Sequence, residues 1–259
     1  SGSKRQEQVL VRYKLLQEIR RTSRKHGGSM LQASEKRAVE IGLENLARSA
    51  GYADPLRLQW AMERMDLKDL ADGPVEVRKG DVKVTLRVTD DGTPELEAQR
   101  NGKVLASIPP AVKKNAAVAE LAQRNTELRR TGSRVRLSLE QAMCRGDIFT
   151  AAELGQLFEH PVLRPMIERL VFVGAENPKL AGYPSKKGKL LLDHSGASEV
   201  LKGTDALRLA HPLDFLKRRD WTKWQRDCFQ SERVQPFKQI FRELYVPTVS
   251  ERDRATECK

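Results

Sequence analysis

The chain changes its hydrophobic period sharply at Asp72-Gly73-Pro74, and that change limits the architectures open to it. Before this point apolar residues return every three or four positions. After it, "VEVRKGDVKVTLRVTDDGTPELEAQRNGKVLAS" alternates apolar with polar residues. A 3.6-residue period lays one stripe along a helix, whereas a period of two lays one face along a sheet. The spacing therefore predicts helices first and then an antiparallel meander of about four strands, with "DDG" and "RNG" as turn signals. Val82, Val84, Leu86 and Val88 form its inward face, and Lys83, Thr85 and Arg87 its outward one.

Upstream, residues 5–25 read as an amphipathic helix with Val9, Tyr13, Leu16 and Ile19 in step, backed by Leu10 and Leu15. It ends at Gly27-Gly28, where left-handed backbone is cheap. A second helix covers about 34–50 and stops at Gly51. A third starts at Asp54-Pro55, a cap followed by proline at the first helical position, and carries Leu58, Met62 and Met65.

Downstream, about 115–144 is helical, with Gly132 as a point where the helix can break. "TAAE" at 150–153 is a capping box. A short helix then carries Leu163, Ile167 and Leu170. "LVFVGA", "KLLLDH" and "DALRLAHP" read as strands of a second β section. Asp220 caps a helix with Trp221, Trp224, Cys228 and Phe229. Pro236 opens another with Phe237, Ile240, Phe241, Leu244 and Tyr245, and Pro247 ends it. The expected fold is α+β, mainly helical, with two small antiparallel β sections, a meander near 75–108 and strands near 170–211. Residues 4–71 form an N-terminal helical region, and residues 72–259 a mixed α+β region.

The 259 residues are 39% hydrophobic, and no apolar run approaches the roughly 20 residues that span a bilayer. No membrane association is expected. Three widely spaced cysteines, Cys144, Cys228 and Cys258, suit reduced thiols in the cytoplasm. With no CxxC pair and four scattered histidines, neither metal nor cofactor is expected. "PSKKGK" at 184–189 lacks the phosphate-loop spacing and reads as a surface loop.

A net charge of +12 points toward an anionic partner, either nucleic acid or an acidic protein. The excess is concentrated. Residues 4–25 hold eight Lys/Arg against Glu7 and Glu18, and residues 113–145 hold eight against Glu120, Glu127 and Glu140. Within these helices Arg20, Arg21, Arg24, Lys25, Arg129, Arg130, Arg134 and Arg136 are the candidate phosphate contacts. Trp221 and Trp224 could stack bases, but at spacing three they share a helix face that more often packs a core.

For chemistry the candidates are His211 and Asp214 in "HPLD", with Cys144 in "AMCRGD" beside Arg145, a cation that favours thiolate. The competing reading of "HPLD" is architectural. His211 before Pro212 ends a strand, and Asp214 caps the turn that follows. "EHP" at 159–161 repeats the His-Pro step at a helix end.

"NGKVLASIPPAVKK", "SLEQAMCRGDIFTAAELGQLFEHPVLRPMIERLVFVG", "LRLAHPLDF" and "QPFKQIFRELY" together resemble the MolR-like bacterial domain of unknown function. The resemblance runs from about residue 55 onward. It implies a piece of a large multidomain protein, often with WGR domains or helical repeats as neighbours, whose other domains are its first partners. It carries over no reaction. Two functions follow: a non-enzymatic binding or scaffold module of a regulatory protein, or part of an enzyme whose active site the rest of that protein completes.

Overall fold

The computed structural model describes residues 2–22, 28–243 and 248–251. Arg24, Lys25, Gly27, Leu244, Tyr245, Pro247 and Cys258 lie outside the described residues. The chain divides into two compact units, one of residues 1–138 and 152–167, the other of residues 139–151 and 168–259.

The first unit opens with three helices, α1 (Gly2–Thr22), α2 (Ser29–Ala50) and α3 (Pro55–Asp66). Val9 and Tyr13 of α1 pack with Val39, Leu43, Leu46 and Ala47 of α2 and with Leu58 and Met62 of α3. Gly42 lets α1 approach α2, since a Cβ there would stand 2.9 Å from Leu16. The α2 helix stops at Gly51, whose φ of 85° suits glycine. Asp54 caps α3 by accepting the Arg57 amide at 2.8 Å, as its place before Pro55 predicts. One expectation fails on α1. Ile19 joins Leu15 and Val11 on an outward stripe, 40%, 60% and 67% exposed, because α2 and α3 cover only the Val9–Tyr13 side.

A short α4 (Lys68–Asp72) leads into the meander of β1 (Val75–Lys79), β2 (Val82–Val88), β3 (Pro94–Arg100) and β4 (Lys103–Val104), paired antiparallel in chain order. Val82, Val84 and Leu86 are buried and Val88 is half-buried, while Lys83–Glu76 and Arg87–Glu95 pair across strands on the outer face. After α5 (Pro110–Lys113), α6 (Ala116–Arg145) runs for 30 residues. It does not break at Gly132, where a Cβ would meet only Val162 and Met166 side chains at ordinary contact distance. Helices α7 (Ala151–Leu157) and α8 (Arg164–Ile167) follow.

The second unit is built on a sheet of β5 (Ile148–Thr150), β6 (Phe172–Gly174), β7 (Ala181–Ser185), β8 (Leu190–Leu192), β9 (Ser198–Val200) and β10 (Ala206–Leu209). Its order is β5-β10-β6-β7-β8-β9, every pair antiparallel. The two β sections are thus separate sheets. "PSKKGK" is the β7–β8 turn, with Lys186, Lys187 and Gly188 all at positive φ. Against one face lie α9 (Pro212–Arg218) and α10 (Trp221–Gln230), which bring Phe215, Trp224 and Cys228 onto Val171, Val173, Ala181 and Tyr183.

The helix expected from Pro236 does not form over residues 236–243. Its glutamines find better partners than a helix offers. The Gln239 amide accepts the Val171 N–H at 2.9 Å and donates to the Val171 and Ala210 carbonyls at 2.8 and 2.9 Å. Gln235 accepts the Ile240 N–H at 2.9 Å and donates to Gln239 and to the Arg169 carbonyl. Phe237 and Ile240 still reach the core, as their apolar spacing requires.

Candidate functional site

Strand β10 delivers Arg208 and ends at Leu209, and His211-Pro212 then turns the chain into α9. Arg208 holds the Asp214 carboxylate with two hydrogen bonds of 2.6 and 2.7 Å. The same carboxylate accepts the His211 backbone N–H at 2.8 Å, and His211 Nδ1 accepts the Leu213 N–H at 3.3 Å. This is a reciprocal capping box at the start of α9. Burial works against the Asp214 charge, but the Arg208 guanidinium and the His211 amide hold its carboxyl below the usual carboxylate range. Partial burial pushes the His211 imidazole below its usual value, with Asp214 opposing. His211 and Asp214 are brought together, yet the imidazole nitrogen and the carboxylate each serve the helix terminus. Arg208, the third member, was legible only as a strand residue, because its reach to Asp214 depends on the strand-to-helix turn.

Cys144 is exposed near the end of α6. Arg145 beside it makes a two-point ion pair with Asp147. The Arg242 guanidinium stands 4.0 Å from Sγ and is paired with Glu140 at 3.1 Å. Asp220 stands at the N-terminus of α10 without a side-chain cap bond, because Arg218 draws its carboxylate away at 2.9 Å. Trp224 is fully buried, and Trp221 donates its indole N–H to the Ile240 carbonyl. Both tryptophans belong to the core and its edge. Among the described residues no group of three or more His, Cys, Asp or Glu could hold a metal ion. No helix among them is long and apolar enough to cross a membrane.

The cationic candidates separate into two classes. On α1, Arg21 pairs with Glu18 at 2.8 Å, and Arg20 is half-buried within electrostatic reach of Tyr13. Arg134 on α6 is ion-paired with Glu63. Arg129, Arg130 and Arg136 are exposed, and no hydrogen bond or ion pair engages their guanidinium groups among the described residues. Together with exposed Ser133 they mark one outward face of α6 over two turns, about 10 Å by the helical rise.

Glu63 was not singled out by sequence, and it anchors a buried polar group of the first unit. Its Oε1 accepts the Tyr13 hydroxyl at 3.1 Å and pairs with Arg134. Its Oε2 faces His160 Nε2 at 3.5 Å, while His160 Nδ1 accepts the Val162 and Leu163 amides at 3.3 Å. Burial, reinforced by the Glu63 charge, pushes the Tyr13 hydroxyl well above its usual range. The available signal was Glu63 three positions after Trp60, which is fully buried and marks a second inward face of α3. This cluster ties α1, α3, α6 and the turn before α8 together.

In the second unit a groove of about 710 Å³ lies among the loops after β6, β8 and β9. Two of the acids that line it are engaged locally. Asp193 accepts the Ser195 and Ala197 amides, and Asp205 the Lys202 amide.

Residues 102–258 match the family model described as Domain of unknown function (DUF4132), more than half of the chain. The chain belongs to the DUF4132 family. Residues 1–62 match a second model, Family of unknown function (DUF5724). No curated protein matches the chain, and no solved structure does. The DUF4132 segment contains the α6 arginines, the α9 capping box, Cys144 and both tryptophans, whereas Tyr13 lies in the DUF5724 segment and Glu63 between the two.

Proposed function

We propose that the chain is a non-enzymatic binding module of a large cytoplasmic bacterial regulatory protein of the MolR-like kind, and that its anionic partner is nucleic acid. The observation that carries this reading is the set of Arg129, Arg130 and Arg136 on α6. All three are exposed with their guanidinium groups unengaged among the described residues, while Arg124 and Arg134 of the same helix are held by Asp69 and Glu63. A folded chain gains nothing in stability from like charges crowded over two helical turns. A polyanion gains from them by releasing its condensed counterions.

The test is fluorescence anisotropy of a labelled 20-nucleotide DNA, single-stranded and duplex, between 50 and 200 mM salt. The wild-type chain should bind at 50 mM and weaken steeply with salt. The Arg129→Gln/Arg130→Gln/Arg136→Gln variant should flatten the log–log salt slope by about 2–3, close to one unit per lost phosphate contact. No binding at 50 mM salt, or a triple variant indistinguishable from wild type, refutes the reading. Binding of an acidic protein without any of DNA would do the same.

A further inference from the structure

Sequence spacing offered Trp221 and Trp224 as base-stacking aromatics, and the fold places Trp224 in the core. The exposed aromatic of α10 is instead Phe229, 74% accessible, meeting the 37% accessible Phe241 edge to face at 5.3 Å and 73°. An edge-to-face pair leaves a ring face of each partner uncovered. Phe229 stands largely in solvent and buries little in the fold, and Phe241 keeps about a third of its surface open beside it.

The sequence around them is cationic. Lys223 and Arg226 precede Phe229 at intervals of three and share its outward face of α10, opposite buried Trp224 and Cys228. Lys238 stands three residues before Phe241. All three cations are exposed, and no hydrogen bond or ion pair engages their charged groups among the described residues. Residues 217–242 hold eight Lys/Arg against three Asp/Glu. Asp220 among these acids is already paired with Arg218.

Exposed rings set among unpaired cations fit a ligand with flat apolar faces on an anionic backbone. In a duplex those faces are stacked away, and in a single strand they are available. A second copy of the chain would bring the same positive charge to the same surface. We infer that Phe229 and Phe241, with Lys223, Arg226 and Lys238, form a stacking surface for single-stranded nucleic acid. This inference rests on the nucleic-acid reading above and adds the strand form and the residues that select it.

The experiment measures anisotropy of labelled dT20 and of a 20-base-pair duplex against four forms of the full chain: wild type, Phe229→Ala/Phe241→Ala, Phe229→Tyr, and the α6 triple-glutamine variant. The double alanine variant should lose at least tenfold in dT20 affinity and keep its duplex affinity within twofold. Phe229→Tyr, which retains a ring, should bind dT20 as wild type does. Phe229 is exposed and Phe241 about two thirds buried, so the double variant should keep its circular dichroism and lose a few degrees of melting temperature, with binding read well below the melt and Phe229→Ala alone keeping the wild-type melting temperature. Unchanged dT20 binding by the double variant overturns the stacking surface, and if the α6 variant is still weakened, the function proposed above stands without it. Equal losses on dT20 and duplex, or a change of oligomeric state without any change in dT20 affinity, also overturn it. No binding of either nucleic acid by wild type refutes both.

Discussion

Asp214 is the residue whose loss should be felt furthest from any ligand. It accepts two bonds from Arg208 and one from the His211 amide, so Asp214→Asn removes a charge-assisted pair and half of a capping box. About 1.5–3 kcal/mol of stability should go with it, read as a lower urea midpoint at unchanged slope. The pH dependence has a definite sign. The folded carboxyl ionises below its usual range, so its contribution is present above the unfolded carboxylate value near 4 and is lost as pH falls below that. His211 acts in the same direction at higher pH. Its imidazole is depressed in the fold, so stability is full above the usual histidine value, about 6.5, and declines as pH falls from there. Urea midpoints between pH 7 and 3 should therefore fall in two stages, and Asp214→Asn should flatten the lower one. An unchanged lower stage in that variant would refute the assignment. The cap itself was legible, since His-Pro ends a strand and Asp favours helix starts. The Arg208 clamp was not, because β10 must first be laid beside α9.

At the scale of elements, α1 and the segment after α10 show how periodicity is read and overridden. Both sides of α1 carry aliphatic residues, so spacing alone could not say that Val9 and Tyr13 turn inward while Leu15 and Ile19 turn out. Leu15→Gln should change stability by no more than about 0.5 kcal/mol, whereas Leu58→Ala on α3 should cost about 2–5 kcal/mol. Thermal melts of the two variants compare them directly. Residues 236–243 carry a helical apolar stripe yet form no helix, because the Gln239 amide bonds to Val171 and Ala210 as a strand neighbour would. Gln239→Leu keeps the volume and strands those groups, so a loss on the order of 2–3 kcal/mol is expected. Faster amide exchange at Val171 would locate it, and unaltered exchange there would argue against this role.

Over the whole molecule, family segments and physical units do not coincide. The DUF4132 segment runs through parts of both units, and the DUF5724 segment is only a share of the first. Inside that first unit the Glu63 cluster joins Tyr13 from one segment to Arg134 and His160 from the other. Glu63→Leu leaves Arg134 without its partner, at a cost on the order of 2–3 kcal/mol. This falls short of the 3–5 kcal/mol of a fully buried pair, because Arg134 keeps a third of its side chain in solvent. Tyr13→Phe, which removes one neutral donor, should cost about 1 kcal/mol. Equal melting temperatures for Glu63→Leu and wild type would show that the cluster does not anchor the unit.

The sequence by itself determined what depends on neighbours a few residues apart: the Asp54 cap, the stop at Gly51, the meander with Val82, Val84 and Leu86 inward, and the α+β class. Backbone conformation and side-chain face follow from local sterics and period, so these features survive in one dimension. Only the tertiary structure decided which arginines of α6 are held by other described residues, that Trp224 is core while Phe229 is surface, and that Gln239 replaces a helix by bonding to a sheet. Each of these depends on the distance to a group remote in sequence, or on whether another element stands between a side chain and water, and neither quantity has a local signature.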